Sequence, residues 1–269
     1  MKSNYHTHST WCDGRDTPEA MILAAIAKGF DELGFSSHAM LPQDDVDWVL
    51  TPEKAPRYAA EIRALAGKYR DRLRVRLGVE ADYLPGGATP SYAAYAAIAP
   101  EYLIGSVHFV KAADGALVAV DHEPKLLAEG IRDHFGGDAE AFVRGYFAAV
   151  RESLAYDFDI VGHPDLVRKF NSVKAGLTIF DENDAWYREE LVKTADAIAA
   201  SGKIVEINTG AISRGWLDDA YPSPEFRALL QERGVRFLLS SDAHAADALD
   251  CAFDLYDTLP WPIVNAAWK

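Results

Sequence analysis

Arg236-Phe237-Leu238-Leu239-Ser240-Ser241-Asp242-Ala243-His244 is a short apolar run that ends in two metal-competent side chains. A run of this length and character reads as a strand covered on both faces. The same arrangement recurs throughout the chain. A first strand over Ser3 to Thr7 delivers His6 and His8, with Asp13 close behind. Glu32 to Ser36 runs into His38, Leu73 to Ala81 ends at Glu80, Tyr102 to Val107 runs into His108, and Ile160 to Gly162 runs into His163. Lys203 to Ile207 ends in Glu206-Ile207-Asn208, which is polar as well. Between the strands, Thr17-Pro18-Glu19 opens a helix with a hydroxyl cap and a proline in the first turn, and Gly29 closes it. Tyr58 to Tyr69, Ala139 to Tyr156, Asp184 to Ala200 and Ser223 to Glu232 supply further helices. This alternation predicts an α/β fold with a parallel sheet. Closed into a barrel, such a sheet gathers all its C-terminal strand ends around one mouth, where residues far apart in sequence meet.

The chain has 269 residues, with 27 Lys plus Arg against 41 Asp plus Glu, a formal net charge of −14. That length suits one large α/β barrel, and the reading is a single domain over residues 1–269. Hydrophobic residues at 49% and charged residues at 25% exclude disordered, collagenous and membrane-spanning classes. The first residues carry no apolar leader, so a cytoplasmic location is expected, with no membrane partner. Two cysteines, Cys12 and Cys251, do not make a disulfide framework. The negative charge argues against a general nucleic-acid-binding surface. An anionic substrate requires a local reversal of that charge. Met40 to Pro56, Pro85 to Pro90 and Lys111 to Gly137 read as irregular insertions after strands.

In extended backbone, residues i and i+2 face the same way, so His6 and His8 can reach one ion together. Asp242 and His244 repeat the spacing. Six of the eight histidines lie at strand ends. His122 and His134 stand outside the pattern and read as exposed or locally hydrogen-bonded. Cys12 neighbours Asp13, but alternation along a strand would aim it away.

These residues carry a family resemblance. His6-Thr7-His8, Asp13, Ser37-His38, Gly78-Val79-Glu80, Gly105-Ser106-Val107-His108, Gly162-His163-Pro164-Asp165 and Ser241-Asp242-Ala243-His244 together resemble the polymerase-and-histidinol-phosphatase (PHP) superfamily of metal-dependent phosphoesterases. The segments from Gly162 to Phe170 and from Glu206 to Gly210, with Arg214-Gly215, are most similar to its histidinol-phosphate phosphatase branch. The resemblance implies a distorted seven-stranded TIM-like barrel and up to three divalent ions. By that resemblance His6, His8, Glu80 and Asp242 surround one ion, Glu80 bridges to a second held by His108 and His163, and Asp13, His38 and His244 hold the third. Aspartate at position 13 departs from the histidine common elsewhere in the superfamily. An oxygen ligand there favours manganese or iron over zinc, and metal identity stays open among the three.

The implied reaction is hydrolysis of L-histidinol phosphate, a step of histidine biosynthesis, by attack of a metal-bridging hydroxide on phosphorus. Another small phosphate ester or a nucleotide is the alternative substrate. A catalytically silent, metal-stabilised accessory domain is the alternative of a different class. Asp242 or His244 is the candidate acid for the leaving alcohol. Arg214 is the first candidate for a phosphate clamp, because guanidinium can grip two phosphate oxygens, with Arg168 and Lys111 behind it. Asp44, Asp45, Asp47 and Glu123 are candidates for a substrate amine, and Phe109, Tyr83 and Trp216 for an imidazole. Three divalent ions would bring the net charge to roughly −8 and make the mouth locally positive.

Overall fold

The computed structural model describes residues 1–39 and 48–256. Asp44, Asp45 and Asp47 lie outside the described residues. The strands are β1 (Ser3–Asn4), β2 (Glu32–Phe35), β3 (Arg74–Asp82), β4 (Tyr102–Ser106), β5 (Phe109–Lys111), β6 (Leu117–Ala119), β7 (Ile160–Val161), β8 (Ile204–Asn208) and β9 (Phe237–Ser240). Seven of them pair in the order β1-β2-β3-β4-β7-β8-β9, every neighbour parallel. The sheet nearly closes on itself. Beyond the ends of β1 and β9, Thr7 bridges Ala243 in parallel, with the His8 N–H donating to the Ala243 carbonyl at 2.8 Å.

Helices α1 (Pro18–Ala27), α2 (Ala55–Tyr69), α3 (Pro124–His134), α4 (Ala139–Ser153), α5 (Ala185–Ser201), α6 (Gly210–Ser213) and α7 (Pro224–Glu232) fill the connections. Their starts follow local chemistry. Thr17 Oγ1 accepts the Ala20 N–H ahead of Pro18, and Ser223 Oγ accepts the Phe226 N–H ahead of Pro224. Each side chain satisfies a backbone donor that the first turn leaves free. The helices and the outer faces of the strands share the main apolar core, which includes Met21, Leu33, Ile62, Phe147, Leu191 and Phe226.

A second apolar cluster joins Tyr5, just beyond β1, to Tyr102 and Ile104 on β4, Ile160 on β7, Ile204 on β8 and Leu238 on β9. Period-two alternation carries each strand from this plug toward the mouth. Tyr102 and Ile104 lead to Ser106 and then His108, Ile204 leads to Glu206 and Asn208, and Leu238 leads to Ser240 and Asp242. The barrel is therefore apolar at one end and polar at the other. Tyr102 reaches across the plug because β2 and β3 offer glycine beneath it. A Cβ on Gly78 would stand 2.2 Å from the tyrosine ring, and one on Gly34 would stand 2.3 Å from its hydroxyl.

Three expectations change. The β1 ladder ends at Asn4 rather than Thr7, and the extended chain beyond it is held by the Thr7–Ala243 bridge. Lys111 to Gly137 is not irregular, because it carries the end of the β5–β6 hairpin and all of α3. Pro124 opens that helix, and Leu127 and Ile131, one turn apart, bury its inner face. Residues 10–13 form a turn, so the alternation used to aim Cys12 does not apply. No helix among the described residues is long and apolar enough to cross a membrane.

Candidate metal centre

Glu80 stands in the middle of the polar end, 1% exposed. Its Oε1 lies 2.9 Å from His163 Nε2 and 3.4 Å from His108 Nε2, and accepts a hydrogen bond from Ser106 Oγ at 2.8 Å. Its Oε2 lies 2.8 Å from His38 Nδ1, 3.2 Å from His6 Nε2 and 3.6 Å from His8 Nε2. Asp242 Oδ1 is 3.2 Å from His8 Nε2 and 3.7 Å from His6 Nε2. At the outer rim, Asp13 lies 3.1 Å from His244 Nε2 and 3.7 Å from His38 Nε2. All nine residues expected from strand ends and the following turn meet in one place.

Five imidazoles around one carboxylate exceed what that carboxylate can satisfy by hydrogen bonding. Accordingly His6 Nε2, His8 Nε2, His38 Nδ1 and Glu80 Oε2 are buried with no partner in hydrogen-bonding geometry. Buried polar atoms of this kind require an explanation, and a divalent cation takes both nitrogen lone pairs and carboxylate oxygens. Donor atoms converge within 4.8 Å of one another in four overlapping groups: His8, Asp13, His38 and His244; His6, His163 and Asp242; His6, His8 and Glu80; His38, Glu80 and His108. The residues fit divalent metal.

Burial opposes charge throughout the cluster, and the neighbours decide each outcome. Burial pushes the Glu80 carboxyl up, but His6, His38 and His108 outweigh it and hold it well below the ordinary range. Burial acts likewise on Asp242, and Arg214 and His6 overcome it. His8 is pushed down to about 3, by burial and then by His244 and His38, which leaves its ring neutral and its lone pair available. Burial, then Asp13, pushes the Cys12 thiol up to about 11. Its Sγ sits 3.4 Å from His8 Nδ1, so the cysteine adjoins the cluster as a protonated thiol.

Two carboxylates that received no metal role from the sequence orient the rings from behind. Asp82 Oδ1 is 2.7 Å from His108 Nδ1, and Glu206 Oε2 is 2.9 Å from His6 Nδ1. Such partners fix which ring nitrogen faces a metal. Asp82 had a readable signal, since it lies two residues beyond Glu80 on the same strand and hence on the same face. With Asp13, Glu80 and Asp242, they raise the centre's carboxylates from three to five, so bound cations are offset more closely than the sequence count implied.

The cluster opens into a cavity of about 340 Å³ whose walls include Trp48, Phe109, Asp121, Leu166, Lys169 and Arg214. Arg214 bonds Asp242 Oδ1 and Oδ2 at 3.1 and 3.2 Å and reaches His244 Nδ1 at 2.8 Å. The other two expected phosphate contacts lie elsewhere. Arg168 is held in a buried network, its Nε donating to Glu182 at 2.6 Å, with Asp219 and Asp165 nearby. Lys111 Nζ is exposed and donates to the Pro85 carbonyl. Lys169, adjacent to Arg168, lines the cavity instead, paired with Asp121 at 3.1 Å. The short helical turn over Leu166–Arg168 decides which of the two neighbours faces the mouth. Phe109 lines the cavity, whereas Tyr83 donates to Glu152 and Trp216 packs on Phe170. Glu123 is exposed ahead of α3. His122 is exposed at the cavity rim, and His134 is exposed beside Asp114, both as expected.

Fold and donor set together define a class, the metal-binding α/β barrel with its site at the C-terminal strand ends. Residues 4–210 match the PHP domain, and the chain belongs to that family. A protein of Deinococcus radiodurans named "Probable histidinol-phosphatase" is 32% identical over 246 residues, covering 89% of this chain and 85% of the relative. The solved hisK chain of Listeria monocytogenes superposes with a TM-score of 0.82 at 23% identity, over 95% of this chain and 100% of that one. Histidinol phosphate phosphatase of Lactococcus lactis, solved with zinc, L-histidinol and phosphate, superposes with a TM-score of 0.67 at 21% identity, over 98% and 95%.

Proposed function

We propose that residues 1–269 act as one PHP-type domain, a divalent-metal-dependent phosphomonoesterase that converts L-histidinol phosphate and water to L-histidinol and phosphate. The observation that carries the reaction class is the convergence of five histidines on buried Glu80 beside a cavity containing Arg214 and Lys169. The substrate assignment draws on the Deinococcus relative's name and on the ligands of the Lactococcus structure. Zinc is the first metal to test, with three ions as the full complement.

When bound, divalent ions lower the pKa of a water, hold phosphoryl oxygens and offset charge built up during in-line displacement. His6, His8, Asp13, His38, Glu80, His108, His163, Asp242 and His244 hold them. The Arg214 guanidinium, its fork engaged by Asp242, brings positive charge and its remaining N–H groups to the cavity for phosphate oxygens, and Lys169 adds a second cation from the cavity lining. Both candidate acids also stand in the ligand set: Arg214 keeps Asp242 as a carboxylate and donates to His244 Nδ1, so a proton for the leaving alcohol would come through water beside them. A cavity of about 340 Å³ is in the range of small-molecule sites and suits a small ester over a polymer.

The test is phosphate release by zinc- or manganese-loaded protein from histidinol phosphate, nucleoside monophosphates and sugar phosphates. Histidinol phosphate should lead in kcat/KM by about tenfold or more. A flat profile would reject the substrate, and no release from any ester would reject the enzyme.

A further inference from the structure

Glu206 lies on β8, fully buried, with hydrogen-bond partners on His6, His163, Asn208 and Ser240. Its carboxylate accepts from His6 Nδ1 at 2.9 and 3.1 Å, from the His163 backbone N–H at 2.9 Å, from Asn208 Nδ2 at 2.9 Å and from Ser240 Oγ. Asn208 Nδ2 in turn reaches Asp242 Oδ2 at 3.4 Å. One carboxylate thus touches His6 and His163 directly and Asp242 through one amide, and these three form one of the converging donor groups. His163 and Asp242 have left-handed backbone, at φ 21° and 50°, which costs energy for residues with a Cβ and persists only where the surroundings hold it.

We infer that Glu206 is a positioning residue for the His6–His163–Asp242 donor group, fixing the proton of His6 on Nδ1 so that Nε2 presents its lone pair. This rests on the metal-ligand reading above. A carboxylate accepts at both oxygens, so the neutral ring facing it keeps its proton on Nδ1. Glu206→Gln breaks that rule at nearly constant size. The amide nitrogen avoids the fixed His163 N–H by taking the Oε2 position, where Ser240 can rotate to accept. There it faces His6 Nδ1 as a donor, and the one oxygen left, 3.1 Å from Nδ1, is shared with the His163 N–H and the Asn208 amide, so the ring proton is no longer fixed on Nδ1 and Nε2 presents its lone pair less often.

The test uses zinc-loaded protein with ¹⁵N-labelled histidine, together with zinc affinity by competition against a chelator. In the wild type, His6 should show a protonated Nδ1 and a zinc-shifted Nε2. Glu206→Gln should lose zinc affinity by about tenfold or more at one position, as removal of outer carboxylates does elsewhere. Ser240→Ala, which deletes a donor but keeps the carboxylate, should bind as the wild type does. Wild-type His6 coordinating through Nδ1 overturns the inference whether or not the variant folds. So does a Glu206→Gln protein with unchanged affinity, or a Ser240→Ala protein that loses as much. Wild type that takes up no zinc rejects the metal reading itself, a separate outcome.

Discussion

Asp82 Oδ1 lies 2.7 Å from Nδ1 of His108, and Nε2 of the same ring faces Glu80, which stands two residues before Asp82 on β3. One strand therefore supplies both the carboxylate at the centre and the carboxylate that aims a neighbouring ring at it. Asp82→Asn should lower affinity for one metal ion by about tenfold or more, measured by chelator competition, with the fold intact by circular dichroism.

Metal removal should cost stability as well as activity. Ligands that bind only the folded chain add about 2.7 kcal/mol at a free concentration one hundred times Kd. Zinc-loaded protein should melt above chelator-treated protein, and Glu80→Gln should reduce both the metal content by elemental analysis and the difference in Tm. Equal melting of loaded and stripped wild type would contradict the cluster's role.

Arg214→Ala should lower kcat/KM for phosphate-ester release by about tenfold or more, the loss expected of a charged contact to phosphate. Metal content should stay near wild type, because Arg214 touches Asp242 and His244 but leaves the Glu80 ligands in place. Arg168→Ala should act on stability instead, since Glu182, Asp219 and Asp165 surround its guanidinium. Steady-state kinetics and thermal melts on both variants separate the two roles.

Gly78→Ala should destabilise the barrel. The added methyl would stand 2.2 Å from the Tyr102 ring, whose hydroxyl donates to the Tyr5 carbonyl at 2.6 Å on the far side of the plug. Overpacking of this kind costs about 1–3 kcal/mol, readable in urea denaturation. An unchanged midpoint would mean that the tyrosine yields.

Asp250 joins Lys2 at 2.7 Å and Lys28 at 2.6 Å, tying the chain start and the end of α1 to the segment after β9. Burial raises its carboxyl pKa, but Lys2 and Lys28 outweigh it and lower it overall. A depressed carboxyl stabilises the fold above its unfolded value, about 3.9, and that contribution is lost as pH falls through the folded value. Asp250→Asn should cost about 1 kcal/mol or less at pH 7, and the difference from wild type should close in acid.

Much of the architecture was legible because it rests on local rules. Apolar runs ending in His or Asp mark parallel strands, and Thr17-Pro18 and Ser223-Pro224 mark helix starts, whatever the rest of the chain does. The Lys111 to Gly137 region was misread because its hairpin and helix are short and their burial depends on what covers them. Glu206 was visible only as a polar residue at the end of a strand. Its importance comes from His6, 200 positions earlier, and the His163 N–H, 43 positions earlier.

The sequence by itself determined the parallel α/β alternation and the nine metal-competent residues and, through the family resemblance those residues carry, the barrel, because strand periodicity is local and a parallel barrel sends all its strand ends to one mouth. Tertiary structure alone decided which residues stand behind those ligands and which cation faces the cavity. Asp82 and Glu206 acquire their roles through distances across strands, and Lys169 replaces Arg168 at the mouth because one tight turn rotates adjacent side chains apart. Such choices depend on packing between distant segments, which no local pattern encodes.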